Sequence, residues 1–210
     1  MSDNPLSVVA RWLDEATAAG EQRNPNAMSL ATASPDGVPS VRMVLLKELR
    51  TEPGYCVFYT NYGSRKGSEL AANERAAAAL YWPNPGRQVR LEGAVRRSPK
   101  RESEAYFASR PLASQLNAWV SEQSQPLDDP DTLWQRVAAR EREFGVSAGG
   151  RGRVPLPPFW GGYRLWIDQV ELWTEGRDRF HERLHYSRKL GAYRHDTFGV
   201  GTWRLRRLQP

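Results

Sequence analysis

Short β-rich runs cut by turn residues recur along most of this chain, and that pattern leaves few architectures open to it. Ala27 to Ala33 and Val38 to Leu46 flank the turn Pro35-Asp36-Gly37, the mark of a β-hairpin. Further runs lie at Tyr55 to Tyr59, Ala76 to Tyr81, Gln88 to Arg96, Tyr163 to Ile167, Val170 to Trp173, about Arg179 to Tyr186, and Trp203 to Leu208. So many short strands with antiparallel turn signals predict a mainly β fold, a barrel with peripheral helices, and argue against a doubly wound sheet.

Helical signals fall between the strands. Pro5 to Ala19 has Asn4 as N-cap, Pro5 at the first position and Gly20 as stop, with Leu6, Val9, Leu13 and Ala16 on one face. Helices are also expected over Ser64 to Ala72, from about Pro99, over Leu112 to Val120, and over Asp131 to Phe144 behind Asp129 and Pro130. Gly145 to Pro158, rich in Gly, Pro and Arg, reads as a mobile loop. Residues 1–25 are read as an N-terminal helical segment and 26–210 as one domain.

With 40% apolar residues, 210 residues can bury an ordinary core. The single cysteine, Cys56, excludes a disulfide framework or a cysteine metal cluster; inside an apolar run it reads as a core thiol in a reducing compartment. No apolar run approaches the ~20 residues of a membrane span, so a soluble cytoplasmic protein is expected. The net charge of +6 is spread over arginines interleaved with acids, which favours a small phosphorylated ligand over nucleic acid. Neither G-x-G-x-x-G nor a Walker sequence occurs, so a nucleotide-like cofactor would have to be held by side chains and strand ends.

Four segments carry chemistry. Along Arg42-Met43-Val44-Leu45-Leu46-Lys47, alternation sends Arg42 and Lys47 to opposite faces. In Tyr59-Thr60-Asn61-Tyr62-Gly63-Ser64-Arg65-Lys66, a strand ends in hydroxyls and amides and turns into a helix start bearing two cations, which is an anion-site pattern. Tyr106, Arg110 and Ser114, spaced by four, present a guanidinium between two hydroxyls if Pro111 does not break the helix; such a trio suits a phosphate monoester. The fourth, His181-Glu182-Arg183-Leu184-His185, matches the zinc pattern H-E-x-x-H in letters only. It alternates like a strand, and Arg183 would sit between the would-be ligands and repel the metal, so no metal is expected.

Taken in order, these segments together with Arg87-Gln88-Val89, Gln115 to Ser124, Pro155 to Gly162, Trp173 to Arg183 and the closing Arg207-Leu208-Gln209-Pro210 resemble the pyridoxine 5'-phosphate oxidase family. The resemblance implies an FMN-binding split β-barrel, a homodimer with FMN at the subunit interface. It implies oxidation of pyridoxine or pyridoxamine 5'-phosphate to pyridoxal 5'-phosphate, with O2 as acceptor giving H2O2, and ammonia from the amine. Carried over by position, FMN contacts are Arg42, Met43, Val44, Leu45, Leu46, Lys47, Tyr59, Thr60, Arg65, Lys66, Gln88, Gln123, Ser124, Trp173 and Arg183. Substrate contacts are Lys47, Tyr106, Arg110, Ser114, Arg179 and His181, the last two lying over the substrate ring as the catalytic pair. A phenazine-type oxidase on the same barrel and a non-catalytic carrier of FMN or pyridoxal phosphate are the rival readings.

Overall fold

The computed structural model describes residues 4–146 and 152–210. Their contacts group into two compact units: a larger one of Met1–Phe58, Glu69–Arg96 and Tyr163–Pro210, and a smaller one of Tyr59–Ser68 and Arg97–Gly162.

The larger unit opens with helix α1, Pro5–Ala19. Its signals act as the sequence predicts. The Asn4 side chain accepts from Leu6 N–H at 3.0 Å, Pro5 opens the helix, and Gly20 closes it at φ 66°. The buried stripe is Leu6, Val9 and Trp12. Trp12 is absent from the expected face, where Leu13 and Ala16 turn out to be marginal.

Strands β1 (Ala27–Ala33) and β2 (Pro39–Leu45) form the expected hairpin, in register from Ala27 against Leu45 to Ala33 against Pro39. β3 (Glu48–Arg50) pairs with β4 (Tyr55–Asn61); β5 (Arg75–Trp82) pairs with β6 (Arg87–Arg97) and with β1. β7 (Trp160–Thr174), β8 (Glu182–Ser187) and β11 (Arg204–Arg207) complete a sheet ordered β11-β8-β7-β6-β5-β1-β2, with β4 also joined to β7. All the registers given by β1–β2, β1–β5, β3–β4, β5–β6, β7–β8 and β8–β11 are antiparallel. The mainly β, antiparallel expectation is met. Met28, Leu30, Phe58, Leu80, Leu91 and Trp166 are among the side chains that fill the core, each contributing on the order of 1.5–3 kcal/mol by leaving water. Cys56 is a core thiol, as read, and burial pushes it up to about 12.

Two elements depart from expectation, and one segment given no element by the sequence proves to be a hairpin. β7 is one strand of 15 residues where two were expected, because the polar pair Asp168-Gln169 does not turn the chain: Asp168 stays in line and pairs with Arg75 at 3.0 Å. The stretch from Leu190 to Val200 is a hairpin, β9 (Leu190–Arg194) and β10 (Thr197–Val200), joined by His195-Asp196 at φ 50° and 60°. The strand expected from Arg179 begins only at Glu182; before it comes a single 3-10 turn, Arg177–Arg179, with Asp178 and Arg179 at φ 55° and 67°. Gly176 permits that tight return, since a Cβ there would stand 1.9 Å from the Phe180 carbonyl oxygen.

Gly93 on β6 carries a prediction. A Cβ at this position would lie 1.8 Å from the Trp166 carbonyl oxygen, a backbone atom that cannot swing aside. Gly93→Ala is expected to cost about 3 kcal/mol or more, read as a melting temperature lower by roughly 10 °C. A shift below about 2 °C would show that the two strands separate more easily than their pairing implies.

In the smaller unit, α3 (Lys100–Ser109), α4 (Leu112–Val120) and α5 (Asp131–Glu143) are the expected helices. The chain breaks between α3 and α4 at Arg110, whose backbone is extended at ψ 150° ahead of Pro111. Its core gathers Phe107, Leu116, Ala118, Val154 and Trp160. The described residues of Gly145 to Pro158 form neither helix nor strand, as the loop reading has it, though Val154 is anchored in the core; residues 147–151 of that stretch lie outside the described residues. Helix α2 (Arg65–Ala72) starts in this unit. No described helix is long and apolar enough to cross a membrane.

Candidate active site

In the smaller unit, β4 ends in a turn built by Asn61, which accepts from Gly63 N–H through its side chain at 2.8 Å and from the Ser64 hydroxyl through its carbonyl at 2.7 Å. The turn delivers Lys66 into the interior, 6% exposed, where its Nζ donates to Thr60 Oγ1 at 3.0 Å, Ser64 Oγ at 3.2 Å and Gln123 Oε1 at 2.9 Å. Thr60 also donates to Gln123 Oε1 at 2.9 Å. Four of the expected cofactor positions therefore cluster: Thr60, Lys66 and Gln123 bond to one another, and exposed Arg65 adds a second cation at the start of α2. Ser124 follows at φ 77°, a strained conformation for a residue other than glycine and one that concentrates at ligand sites. A cavity of about 380 Å³ opens beside them, lined by Asn61, Gly63, Trp119 and Gln123.

Tyr106, Arg110 and Ser114 do not ride one continuous helix. Tyr106 lies in the last turn of α3, Arg110 at the break and Ser114 in the first turn of α4. The Arg110 guanidinium lies over the Trp160 ring at 4.7 Å and near Phe107 at 5.8 Å. Its Nη1 is buried and has no hydrogen-bond partner. Burial draws its pKa below the usual guanidinium value, opposed by Tyr106, yet an arginine stays charged at any working pH. Tyr106 stacks on Tyr59 with centroids 3.9 Å apart, and Trp160 lies nearly parallel to both rings. A half-buried cation over an aromatic face, with one shielded and spare donor, fits an anionic oxygen.

In the larger unit, β2 obeys the alternation: Val41 and Met43 are exposed, Leu46 is buried, and Lys47 points out. Arg42 faces inward, donating to the Leu30 carbonyl at 3.2 Å, to Thr32 and Ser40, and pairing with Glu69 at 3.4 Å. Val44 and Leu45 are half-buried, as is Gln88, opposite Tyr81 in the β5–β6 ladder. Trp173, next to last in β7, has its ring 4.6 Å from that of His181. His181 Nδ1 accepts from Gly176 N–H at 3.2 Å, which assigns the proton of the neutral ring to Nε2. Arg179 and Phe180 are exposed on the same turn. Arg183 is bound by Glu171, whose hydrogen bond raises its pKa further. Because Glu182–Ser187 is a strand, His181 and His185 lack the one-turn helical spacing a zinc H-E-x-x-H requires.

Besides Glu69, two further partners in these arrangements carry no role in the sequence reading. Trp160 lies in the matched stretch Pro155 to Gly162 without a stated part. Glu171 announces itself only as a carboxylate inside the apolar run Val170 to Trp173.

Residues 13–144 match the family described as pyridoxamine 5'-phosphate oxidase, and residues 160–210 match the pyridoxine 5'-phosphate oxidase C-terminal dimerisation region. A pyridoxine/pyridoxamine 5'-phosphate oxidase of Rubrobacter xylanophilus is 49% identical over 208 residues, covering 99% of this chain and 87% of that protein. One from Ralstonia pickettii is 45% identical over 99% of this chain and 89% of its own length. Among solved structures, PhzG from Burkholderia lata 383, in complex with tetrahydrophenazine-1-carboxylic acid, superposes with a TM-score of 0.84 at 31% identity, covering 99% of this chain and 93% of that one. A pyridoxamine 5'-phosphate oxidase-related, FMN-binding protein of Nostoc punctiforme gives a TM-score of 0.71 at 16% identity over 97% of this chain and 96% of its own, which shows a shared fold, the split barrel.

Proposed function

The chain belongs to the pyridoxine/pyridoxamine 5'-phosphate oxidase family and is an oxidoreductase, and from that premise we propose that it converts pyridoxine or pyridoxamine 5'-phosphate to pyridoxal 5'-phosphate as an FMN-bearing homodimer. The observation that carries the substrate is Arg110, a half-buried guanidinium whose Nη1 is shielded from solvent and unbonded. Leaving such a donor unpaired is costly, and a phosphate monoester oxygen removes that cost.

FMN, when bound, would supply the redox chemistry, a two-electron oxidation at the substrate's C4' carbon with O2 as final acceptor and H2O2 as its product. The charge at Lys66 suits its phosphate: a buried ammonium whose three N–H groups are held by the neutral oxygens of Thr60, Ser64 and Gln123, with Arg65 beside it and the positive end of α2 behind. Thr60, Gln123 and Ser124 complete that end; Arg42 to Lys47, Tyr59, Gln88, Trp173 and Arg183 are the remaining FMN positions. Tyr106, Arg110 and Ser114, with Lys47, bind the substrate phosphate, a non-reacting handle whose capture orients the ring. Arg179 and His181 lie over that ring. With Nδ1 accepting from Gly176, neutral His181 offers Nε2–H as a donor, so its part is to orient the alcohol or amine. With the amine, hydrolysis of the product imine releases ammonia.

The deciding experiment is an absorbance spectrum of the purified protein, then addition of pyridoxamine 5'-phosphate in air with aldehyde and peroxide both recorded. A flavin spectrum with the two products in equal amounts is expected. Bound flavin that leaves both vitamers untouched but oxidises a reduced phenazine carboxylate would move the chain to a PhzG-like reaction, the reading favoured by that structural likeness. Arg179→Ala, exposed and assigned to the substrate alone, should lower turnover roughly 10²-fold with FMN still bound. Recovery of that variant without flavin would contradict its assignment.

A further inference from the structure

Glu171 sits within β7 with its side chain 5% exposed. Its Oε1 accepts from Arg183 Nε at 2.9 Å and its Oε2 from Arg183 Nη2 at 3.2 Å, so the carboxylate grips the guanidinium edge through two bonds. Arg90 Nη1, 3.1 Å from Oε2, supplies a second cation, so the buried carboxylate stays matched when Arg183 also faces an anion. On its other side Arg183 Nη1 donates to the Gln209 carbonyl at 3.1 Å, and the Arg183 carbonyl accepts from Leu208 N–H at 3.0 Å. Three of the five guanidinium hydrogens are thereby engaged and two remain.

We propose that Glu171 is a positioning residue for FMN binding: by fixing the guanidinium plane of Arg183 it holds the two remaining donors in one orientation for the cofactor. The inference rests on the reading that Arg183 contacts FMN. An arginine free to rotate must be ordered when the cofactor arrives, and holding it beforehand removes that cost. Glu171→Gln preserves the shape and one acceptor but loses the second acceptor and the charge, and it should weaken FMN binding about tenfold.

The test is a double-mutant cycle on protein stripped of flavin and titrated with FMN, following the quenching of flavin fluorescence, with the melting temperature of each flavin-free variant recorded. Arg183→Ala is expected to raise the Kd, Glu171→Gln to raise it about tenfold, and the double variant to add nothing beyond Arg183→Ala. If Glu171→Gln leaves the Kd unchanged, or weakens binding equally when Arg183 is already alanine, Glu171 only supports the strand and the inference falls while Arg183 keeps its assignment. If Arg183→Ala itself leaves the Kd unchanged, Arg183 does not contact FMN and both readings fall together. Should Glu171→Gln fail to fold, Glu171→Asp, which keeps the charge but shortens the reach, is read by the same criteria.

Discussion

Replacing Arg110 by methionine is expected to lower kcat/KM for pyridoxamine 5'-phosphate by about 10²–10³-fold and yet leave the melting temperature of the protein unchanged or higher. The loss follows from the bond type: each hydrogen bond to a charged group is worth roughly 1.5–3 kcal/mol, and a guanidinium gives a phosphate two. The gain follows from burial. Arg110 Nη1 is shielded from water with no partner, and the guanidinium rests on Trp160, so a methionine of similar length keeps the aromatic contact and removes the desolvated charge. Function here stands against stability, as at sites built to receive a ligand. Because the phosphate is also the handle that orients the ring, kcat should fall along with the rise in KM. Activity within about threefold of the parent would remove Arg110 from the clamp. A melting temperature lower by more than about 5 °C would show that the guanidinium holds the α3–α4 break together.

What could be read from the sequence divides by how local its cause is. The β1–β2 hairpin and both ends of α1 are set by residues within a turn of each other: Gly37 at φ 85°, Asn4 capping Leu6, Gly20 in the left-handed region. The turn from β4 into α2 is equally local, and so Thr60, Arg65 and Lys66 stand out by their immediate neighbours alone. Where local and tertiary signals conflict, the reading fails. Asp168-Gln169 looks like a break, but Arg75 lies far away in sequence and pairs with Asp168, and the strand continues. His195-Asp196 lacks the glycine usual in a two-residue hairpin turn, yet both residues adopt positive φ and β9 and β10 pair. In the candidate site, the spacing of Tyr106, Arg110 and Ser114 points to an anion for a helical reason that Pro111 cancels. The guanidinium's setting comes instead from Trp160, which no spacing rule connects to it. Arg42 and Arg183 are legible as cations, whereas the buried carboxylates that hold them, Glu69 on α2 and Glu171 on β7, are contacts made only in the folded chain.

Lys66→Met should raise the Kd for FMN by about 10²-fold, whereas Arg65→Ala, one residue earlier, should raise it less than about tenfold. The two cations differ in burial: Lys66 is 6% exposed and Arg65 stands in solvent. A charge inside the protein acts through a low dielectric and is poorly screened; one at the surface shares its field with water and salt. The Lys66 ammonium is also already oriented by Thr60, Ser64 and Gln123, so a phosphate meeting it need not order a flexible side chain first. The same contrast predicts a difference in salt dependence. Raising ionic strength from about 50 to about 500 mM should erase most of the Arg65→Ala effect and leave most of the Lys66→Met effect, as read by titrating stripped protein with FMN. Equal losses in the two variants, both vanishing in salt, would mean that Lys66 contributes only to a general positive field and that the phosphate sits elsewhere. A Kd for Lys66→Met within about threefold of the parent would remove the β4–α2 turn from the FMN site altogether.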